Sequence, residues 1–253
     1  MCHNERVGKT IYKKMKKIVI CSPTYNEVGN IEILCTEIFK VNKNFHVLII
    51  DDNSTDGTLE LIKKLKFKFK NLNLIKRKKK LGIGSAYRVA FDYAFEKKHD
   101  ALITLDADLS HNPKEIPLLL KKLKSNDFVT GSRYIKGGKS DYKGYRDFIS
   151  RFANKLCRFL LNMPFFEFTT SFRIYNYKCI ELLRNKNLDS DGYSSLVEFF
   201  FYIYKSGFKC SEVPIYFRVR HKGDSKIPKL QVFYSSMKLI ELFIKNLLIQ
   251  KRK

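Results

Sequence analysis

From residue 17 onward the chain alternates between two hydrophobic periods. Short β-branched runs such as KIVICSP and FHVLIIDD are separated by stretches in which apolar residues recur every three or four positions. The first pattern predicts buried strands and the second amphipathic helices. Strands are expected over 17–23, 45–52, 72–77, 101–108 and 127–133, and helices over 30–41, 56–69, 83–98 and 112–124. Such alternation predicts crossover units, hence an α/β fold whose doubly wound, mostly parallel sheet carries helices on both faces. Ligands of such sheets bind beyond the carboxyl ends of the strands. The polar clusters PTYNE, DDNSTDG, DADLSH and GSRY all fall at those ends.

The second half follows another pattern. In DFISRFANKLCRFLLNM, Arg151, Lys155, Arg158 and Asn162 recur at helical spacing among Phe152, Leu156, Phe159, Leu160 and Met163. The C-terminal VFYSSMKLIELFIKNLLIQKRK sets Lys238, Glu241 and Lys245 in a narrow stripe against a wide apolar face. An amphipathic helix of this kind either packs on a sheet or lies in a membrane interface with its cations toward the headgroups. The expected division is a basic N-terminal tail over 1–16, a catalytic domain over 17–228 whose nucleotide-binding half ends near 134, and an amphipathic basic helix over 229–253.

Charge narrows the choice of partner. The 49 Lys and Arg against 25 Asp and Glu leave a net charge of +24, which favours an anionic membrane surface, a phosphorylated substrate or nucleic acid. Much of it also reads as an ordinary solvated surface. Six scattered cysteines form no C-x-x-C pair, which argues against a zinc site or disulfide framework and for a reducing compartment. The polar, basic N-terminus carries no secretory signal, and no apolar run reaches spanning length.

Three constellations carry chemistry. After the fourth strand, Asp106 and Asp108 place two like charges one residue apart. Where the chain turns beyond a strand, both reach one hard divalent ion such as Mg²⁺ or Mn²⁺. The alternative is a strand cap followed by an Asx-turn. His111 has no partner at ligand spacing and reads as a loop residue. After the second strand, Asp51 and Asp52 lead into Ser54, Asp56 and Gly57: a carboxylate for a nucleoside, a helix cap formed by Thr55 or Asp56, or the tandem Asp of a phospho-acceptor receiver domain. Receiver domains are shorter and would leave the second half without a role. The loop KKKLGIGSAY opens a helix around Gly82, whose amides suit phosphate.

Together, PTYNE (23–27), DDNSTDGT (51–58), LGIGSAY (81–87), DADLSHNP (106–113) and GSRY (131–134) resemble, in order and spacing, the inverting GT-A glycosyltransferases of family 2. The closer resemblance is to dolichol-phosphate and polyprenyl-phosphate mannosyltransferases, from about Lys17 to Lys226. It implies a GT-A fold, and Pro23, Tyr25, Glu27, Asp52 and Gly82 around the donor nucleotide. It implies Asp106 and Asp108 on the metal, with Ser110 at a position where the family has a metal-contacting Gln. Arg133, Arg146 and Ser150 would grip the acceptor phosphate, and Arg220 and Lys226 the donor diphosphate. The catalytic set would then be Asp106, Asp108, Arg133, Arg220 and Lys226. The segment 167–173 departs from the family, with Glu167 where Asp is common and TTSFR for T-S-G-F-R, as does SLVE (195–198) for F-Q-x-E.

A sugar or protein hydroxyl acceptor needs a general base, whereas a phosphate monoester arrives ionised. No spare carboxylate near the motifs is marked for that duty; Glu198 is the nearest, and reads as structural. The resemblance therefore implies GDP-mannose as donor and polyprenyl or dolichyl phosphate as acceptor, on the cytoplasmic face of a membrane, with room for a separate membrane subunit. The rivals are a family 2 enzyme using a UDP-sugar and a sugar-hydroxyl acceptor, a catalytically silent homologue, and a nucleic-acid-binding basic protein. Nucleic acid is not the expected partner.

Overall fold

The computed structural model describes residues 17–222 and 231–250, with backbone alone at 231 and 232. The basic tail, Lys226 and residues 251–253 lie outside the described residues. Four parallel strands begin the sheet: β1 (Ile18–Thr24), β2 (His46–Asp51), β3 (Leu72–Lys76) and β4 (Ala101–Thr104). They are joined through α1 (Ile31–Val41), α2 (Thr58–Lys68) and α3 (Ile83–Glu96). A 3₁₀ turn, Pro113–Glu115, opens α4 (Ile116–Leu123), which leads to β5 (Phe128–Ser132).

With β7 (Arg173–Asn176) and β8 (Cys210–Pro214) the seven strands stand in the order β3-β2-β1-β4-β7-β5-β8. β1 feeds β2 on one side and borders β4 on the other, so the winding reverses between β1 and β4. A crevice opens beyond the carboxyl ends of strands at such a reversal. The fold is thus α/β, with a mostly parallel sheet and helices on both faces. One feature departs from simple alternation: β7 lies antiparallel between β4 and β5, and β8 adds a parallel edge. Hydrophobic period alone did not mark either strand. β7 is four residues long and owes its place to Arg173, whose fully buried guanidinium donates to the carbonyls of Leu196 and Phe168 and lies 5.7 Å from the Phe128 and Phe200 rings.

Two apolar layers hold the sheet. Along β1 and β2 alternate residues face opposite ways: Val19, Cys21, Leu48 and Ile50 enter one cluster, and Ile18, Ile20, Val47 and Ile49 the other. The second layer is closed by α1, α2 and α4. The first is closed by α3, α6 (Tyr177–Arg184), α7 (Ser194–Lys205), the end of α5 (Tyr145–Leu161), and Leu239 and Leu242 of α8 (Gln231–Gln250). A two-stranded parallel ribbon, β6 (Lys139–Ser140) with β9 (Tyr216–Phe217), sits apart from the main sheet. Among the described residues no helix is long and apolar enough to cross a membrane.

Candidate active site

Register aligns the motifs before any side chain is considered. Thr24 pairs with Asp51 and Asp51 with Lys76, so the segments after β1, β2 and β3 leave the sheet at one level. They enclose a cavity of about 810 Å³ lined by Pro23, Tyr25, Glu27, Asp52, Lys80, Gly82, Asp106, Asp108 and Arg220, with 189–194 and one face of α8 forming the far wall.

The two acid pairs are built differently. Asp51 is buried and holds the first two motifs together: its carboxylate accepts from Thr24 Oγ1 (2.9 Å), the Ser54 amide (2.8 Å) and Ser54 Oγ (2.6 Å), and Ser54 Oγ in turn accepts from the Asn26 amide (2.8 Å). Asp52 is ion-paired with the nearly buried Arg77 and accepts from the Leu81 (3.0 Å) and Gly82 (3.2 Å) amides. Both acids are spent inside the protein, which leaves no free phospho-acceptor. The helix cap expected at Thr55 or Asp56 falls instead on Gly57, at a left-handed φ of 92° and without a side-chain cap; Asp56 Oδ1 accepts from the Thr58 amide (3.0 Å) in the turn that leads into α2.

β4 ends at Thr104, four residues sooner than expected, so both following acids lie in the loop. Asp106 keeps 26% of its side chain exposed while its Oδ1 accepts from Ser171 Oγ at 2.6 Å. Asp108 accepts from the Ser110 amide (3.0 Å) and from Arg220 (2.8 Å). The intervening Leu109 takes a left-handed φ of 65°, a conformation unfavourable for a branched side chain. The Asx-turn and an acid pair lining the cavity therefore coexist. Burial and the charge of Asp108 push the Asp106 carboxyl up to about 7. Burial acts on Asp108 the same way, but the Ser110 hydrogen bonds and Arg220 outweigh it and hold that carboxyl below its ordinary value. One acid is deprotonated at the other's expense.

This electrostatic shortfall fits a divalent cation. Two oxygen ligands in a cavity, with no cluster of three or more ligating side chains among the described residues, match an ion that keeps water and takes its remaining ligands from substrate phosphate. Ser110 does not fit the metal contact expected of it. It is buried, it does not line the cavity, and both its amide and its hydroxyl serve Asp108.

Gly82 also differs from the expected phosphate cradle. Its amide is donated to Asp52 and that of Gly84 to the Asp191 carbonyl (2.7 Å). At φ 87° a Cβ on Gly82 would stand 2.4 Å from the Asp191 carbonyl oxygen. The glycine lets two loops touch at the cavity wall. Tyr25 lies beneath Lys80, whose ammonium is 4.6 Å from the ring centroid. Glu27 is nearly buried and accepts from Asn30 Nδ2 at 2.6 Å.

Arg133 and Ser150 come together at 3.4 Å, and Tyr134 donates to Ser150 at 2.7 Å. Arg133 is nearly buried and forked onto the fully buried Glu167 at 2.8 and 2.9 Å. Arg146 is exposed one helical turn before Ser150 on α5, its guanidinium 5.8 Å from the Tyr142 ring. Neither Arg133 nor Arg146 lines the cavity.

Several contributors carried no local signal. His111 is buried: its Nδ1 accepts the Asp106 amide (3.3 Å) and its Nε2 meets Thr170 Oγ1 (3.0 Å). With burial lowering its pKa to about 4, the imidazole is a neutral strut for the acid loop rather than a cation. Ser171 and Glu167 belong to the segment 167–173 that departs from the family pattern. Arg77 had a readable signal, as the lone arginine in a lysine run, because a planar fork suits a buried carboxylate better than an ammonium does. Glu198 is buried, accepts the Ser190 amide (3.3 Å) and lies 3.5 Å from Lys238, which is a structural placement.

Comparison with known proteins places this arrangement. The family model Glycosyl transferase family 2 matches residues 19–183. The chain is 30% identical over 240 residues to a polyprenol monophosphomannose synthase of Mycolicibacterium smegmatis, covering 94% of this chain and 91% of that protein. It is 30% identical over 212 residues to an undecaprenyl-phosphate mannosyltransferase of Micrococcus luteus, covering 83% and 87%. Among solved structures it is similar to glucosyl-3-phosphoglycerate synthase of Mycobacterium tuberculosis in complex with Mn²⁺ and UDP, with a TM-score of 0.66, 16% identity and coverage of 94% and 82%. A mannosyltransferase of Pyrobaculum calidifontis in complex with GDP-mannose and Mn²⁺ gives a TM-score of 0.55 at 17% identity, covering 97% and 70%. These two structural likenesses concern the fold.

Proposed function

The chain belongs to glycosyl transferase family 2, and from that premise we propose that it transfers a mannosyl group from GDP-mannose to a polyprenyl or dolichyl phosphate, with inversion at the anomeric carbon. The observation that carries this reading is the crowded pair Asp106 and Asp108 in the cavity, beside Arg220 and, among the described residues, without an unpartnered carboxylate to act as general base. The other carboxylates lining the cavity already have partners: Glu27 has Asn30, Asp52 has Arg77, Asp191 has Arg88, and Asp189 and Glu241 share Lys238. A phosphate acceptor needs none of them, because it arrives ionised. The relatives' names supply the mannosyl group and the lipid phosphate.

A Mg²⁺ or Mn²⁺ held by Asp106 and Asp108 would neutralise the donor diphosphate as the bond to the sugar breaks. Pro23, Tyr25, Glu27, Asp52 and Gly82 wall the nucleotide. Arg220 is poised on Asp108 to follow the diphosphate, and Lys226 is assigned to the same task. Arg133, Arg146 and Ser150 are assigned to the acceptor phosphate, although as folded Arg133 is forked onto Glu167 and neither arginine lines the cavity. Catalysis is then positioning plus electrostatic stabilisation.

The same reading places the protein on the cytoplasmic face of a membrane, where α5 and α8 meet the lipid. Asn246 of α8 donates to the Leu160 carbonyl of α5 at 3.1 Å, so the helices are neighbours. Phe148 (66%), Phe152 (58%) and Phe159 (80%) stand exposed on α5, and Phe233 (61%), Ile240 (57%) and Ile244 (52%) on α8. The α5 cations Arg151, Lys155 and Arg158 are exposed among them, as suits anionic headgroups.

The test is a transfer assay with GDP-mannose, UDP-glucose and UDP-N-acetylglucosamine, each offered polyprenyl phosphate or a mannooligosaccharide in the presence of Mn²⁺. The expected product is a mannosyl phospholipid from GDP-mannose. Turnover on the oligosaccharide alone would replace this reading with a polysaccharide-assembly one.

A further inference from the structure

Part of the far wall of the cavity belongs to α8, one of the two helices proposed above to meet the lipid. Segment 189–193 is clamped from two sides. On the α3 side, Gly84 donates to the Asp191 carbonyl (2.7 Å) and Arg88 to the Ser190 carbonyl (2.8 Å). On the other side α8 contributes Lys238. Lys238, with 10% of its side chain exposed, is ion-paired with Asp189, lies 3.5 Å from the buried Glu198, and bonds Glu241 at 2.6 Å. Glu198 in turn accepts the Ser190 amide. Lys238 is thus the cation that offsets a buried carboxylate and an acidic cavity wall together. Removing such a cation leaves unpaired charge in a low-dielectric setting and forces the wall to rearrange.

The opposite stripe of α8 is apolar and open. Met237 (55%), Ile240 (57%), Ile244 (52%) and Leu248 (55%) follow one another at helical spacing, whereas Leu242 and Asn246 point into the protein. Tyr234 and Met237 belong both to this exposed surface and to the cavity rim. Among the described residues nothing covers this side, and an anionic bilayer taking it would add to the seating that Leu239, Leu242 and Asn246 give the helix.

We propose that Lys238 is a positioning residue that couples membrane engagement of α8 to donor binding: lipid seats the helix, the helix holds segment 189–193, and that wall completes the nucleotide site. The proposal rests on the donor and membrane readings above. Because linkage is reciprocal, bound nucleotide must tighten membrane attachment by the same factor.

The experiment measures GDP affinity of the full chain in Mn²⁺ by calorimetry, with UDP in parallel, in the absence and presence of vesicles of phosphatidylcholine containing about one third phosphatidylglycerol. No acceptor lipid is added. The expected result is affinity tighter by about fivefold or more on vesicles, and vesicle sedimentation strengthened by nucleotide to the same extent. Lys238→Met should weaken nucleotide binding and abolish the vesicle effect, and Lys238→Arg should restore both. Should Lys238→Met misfold, the double variant Ile240→Ser/Ile244→Ser carries the test, because its affinity ratio with and without vesicles should fall to one. Equal affinity with and without vesicles, in protein that sediments with them, overturns the coupling and leaves the mannosyl-transfer reading standing. Failure to sediment overturns both the coupling and the membrane reading. Failure of either nucleotide to bind overturns the donor reading, and the coupling with it.

Discussion

Two acid pairs follow the two strands that flank β1, β2 on one side and β4 on the other, and they do opposite work. Asp51, the last residue of β2, and Asp52 after it are enclosed by Thr24, Ser54, Arg77 and the amides of Leu81 and Gly82. Asp106 and Asp108, after β4, share Arg220 and a few hydroxyl or amide donors, and one of the two carboxyls is driven toward its neutral form. Burial is similar in kind, but compensation is not. A carboxylate pair satisfied by its own protein is scaffold, whereas a pair left short of positive charge is waiting for a ligand.

The sharpest way to break this contrast is Asp108→Ala. Transfer measured as kcat/KM with saturating Mn²⁺ should fall on the order of 10³-fold, in the range lost when a key transition-state stabiliser is removed, while circular dichroism stays native. Activity near wild type would demote the second pair to scaffold. Next in size, Arg77→Met should destabilise the protein by about 3–5 kcal/mol in urea unfolding, since it strands the buried Asp52. A variant of unchanged stability would show that the first pair is not held as described.

The pH dependence sharpens the comparison further. In metal-free protein the raised Asp106 carboxyl keeps a proton that the unfolded chain has already lost. Its favourable contribution is complete below the unfolded value of 3.8 and disappears as pH rises through about 7. Stability to urea should therefore decline across that window, and Asp106→Asn should flatten the decline. Because Mn²⁺ needs the ionised form, its affinity should rise by up to about tenfold per pH unit over the same interval and then level off, as followed by electron paramagnetic resonance. The smallest effect is expected at Asn53, which is exposed between Asp52 and Ser54 at a φ of 64°. Asn53→Ala should cost about 1 kcal/mol of stability and leave transfer untouched.

Much of this was written in local pattern. The alternation of periods located five strands and four helices, with β4 the main overrun, because a strand's two faces and a helix's single stripe leave marks within a dozen residues. The acid motifs were legible for the same reason: each lies within a few residues of a strand end, where the topology makes the chain turn. Strand β7 left no such mark, since it is short and antiparallel and is placed by the buried Arg173.

Sequence by itself determined the α/β class, the strand ends that meet at one edge, and the acids that stand there. Tertiary structure decided which of those acids are spent. Arg77 reaches Asp52 across 25 residues, Glu167 claims Arg133 across 34, and Lys238 closes the cavity wall at Glu198 across 40. The physical reason is that a charge is judged by what surrounds it. Burial and compensation depend on neighbours brought together by folding, and no local window of the chain contains them.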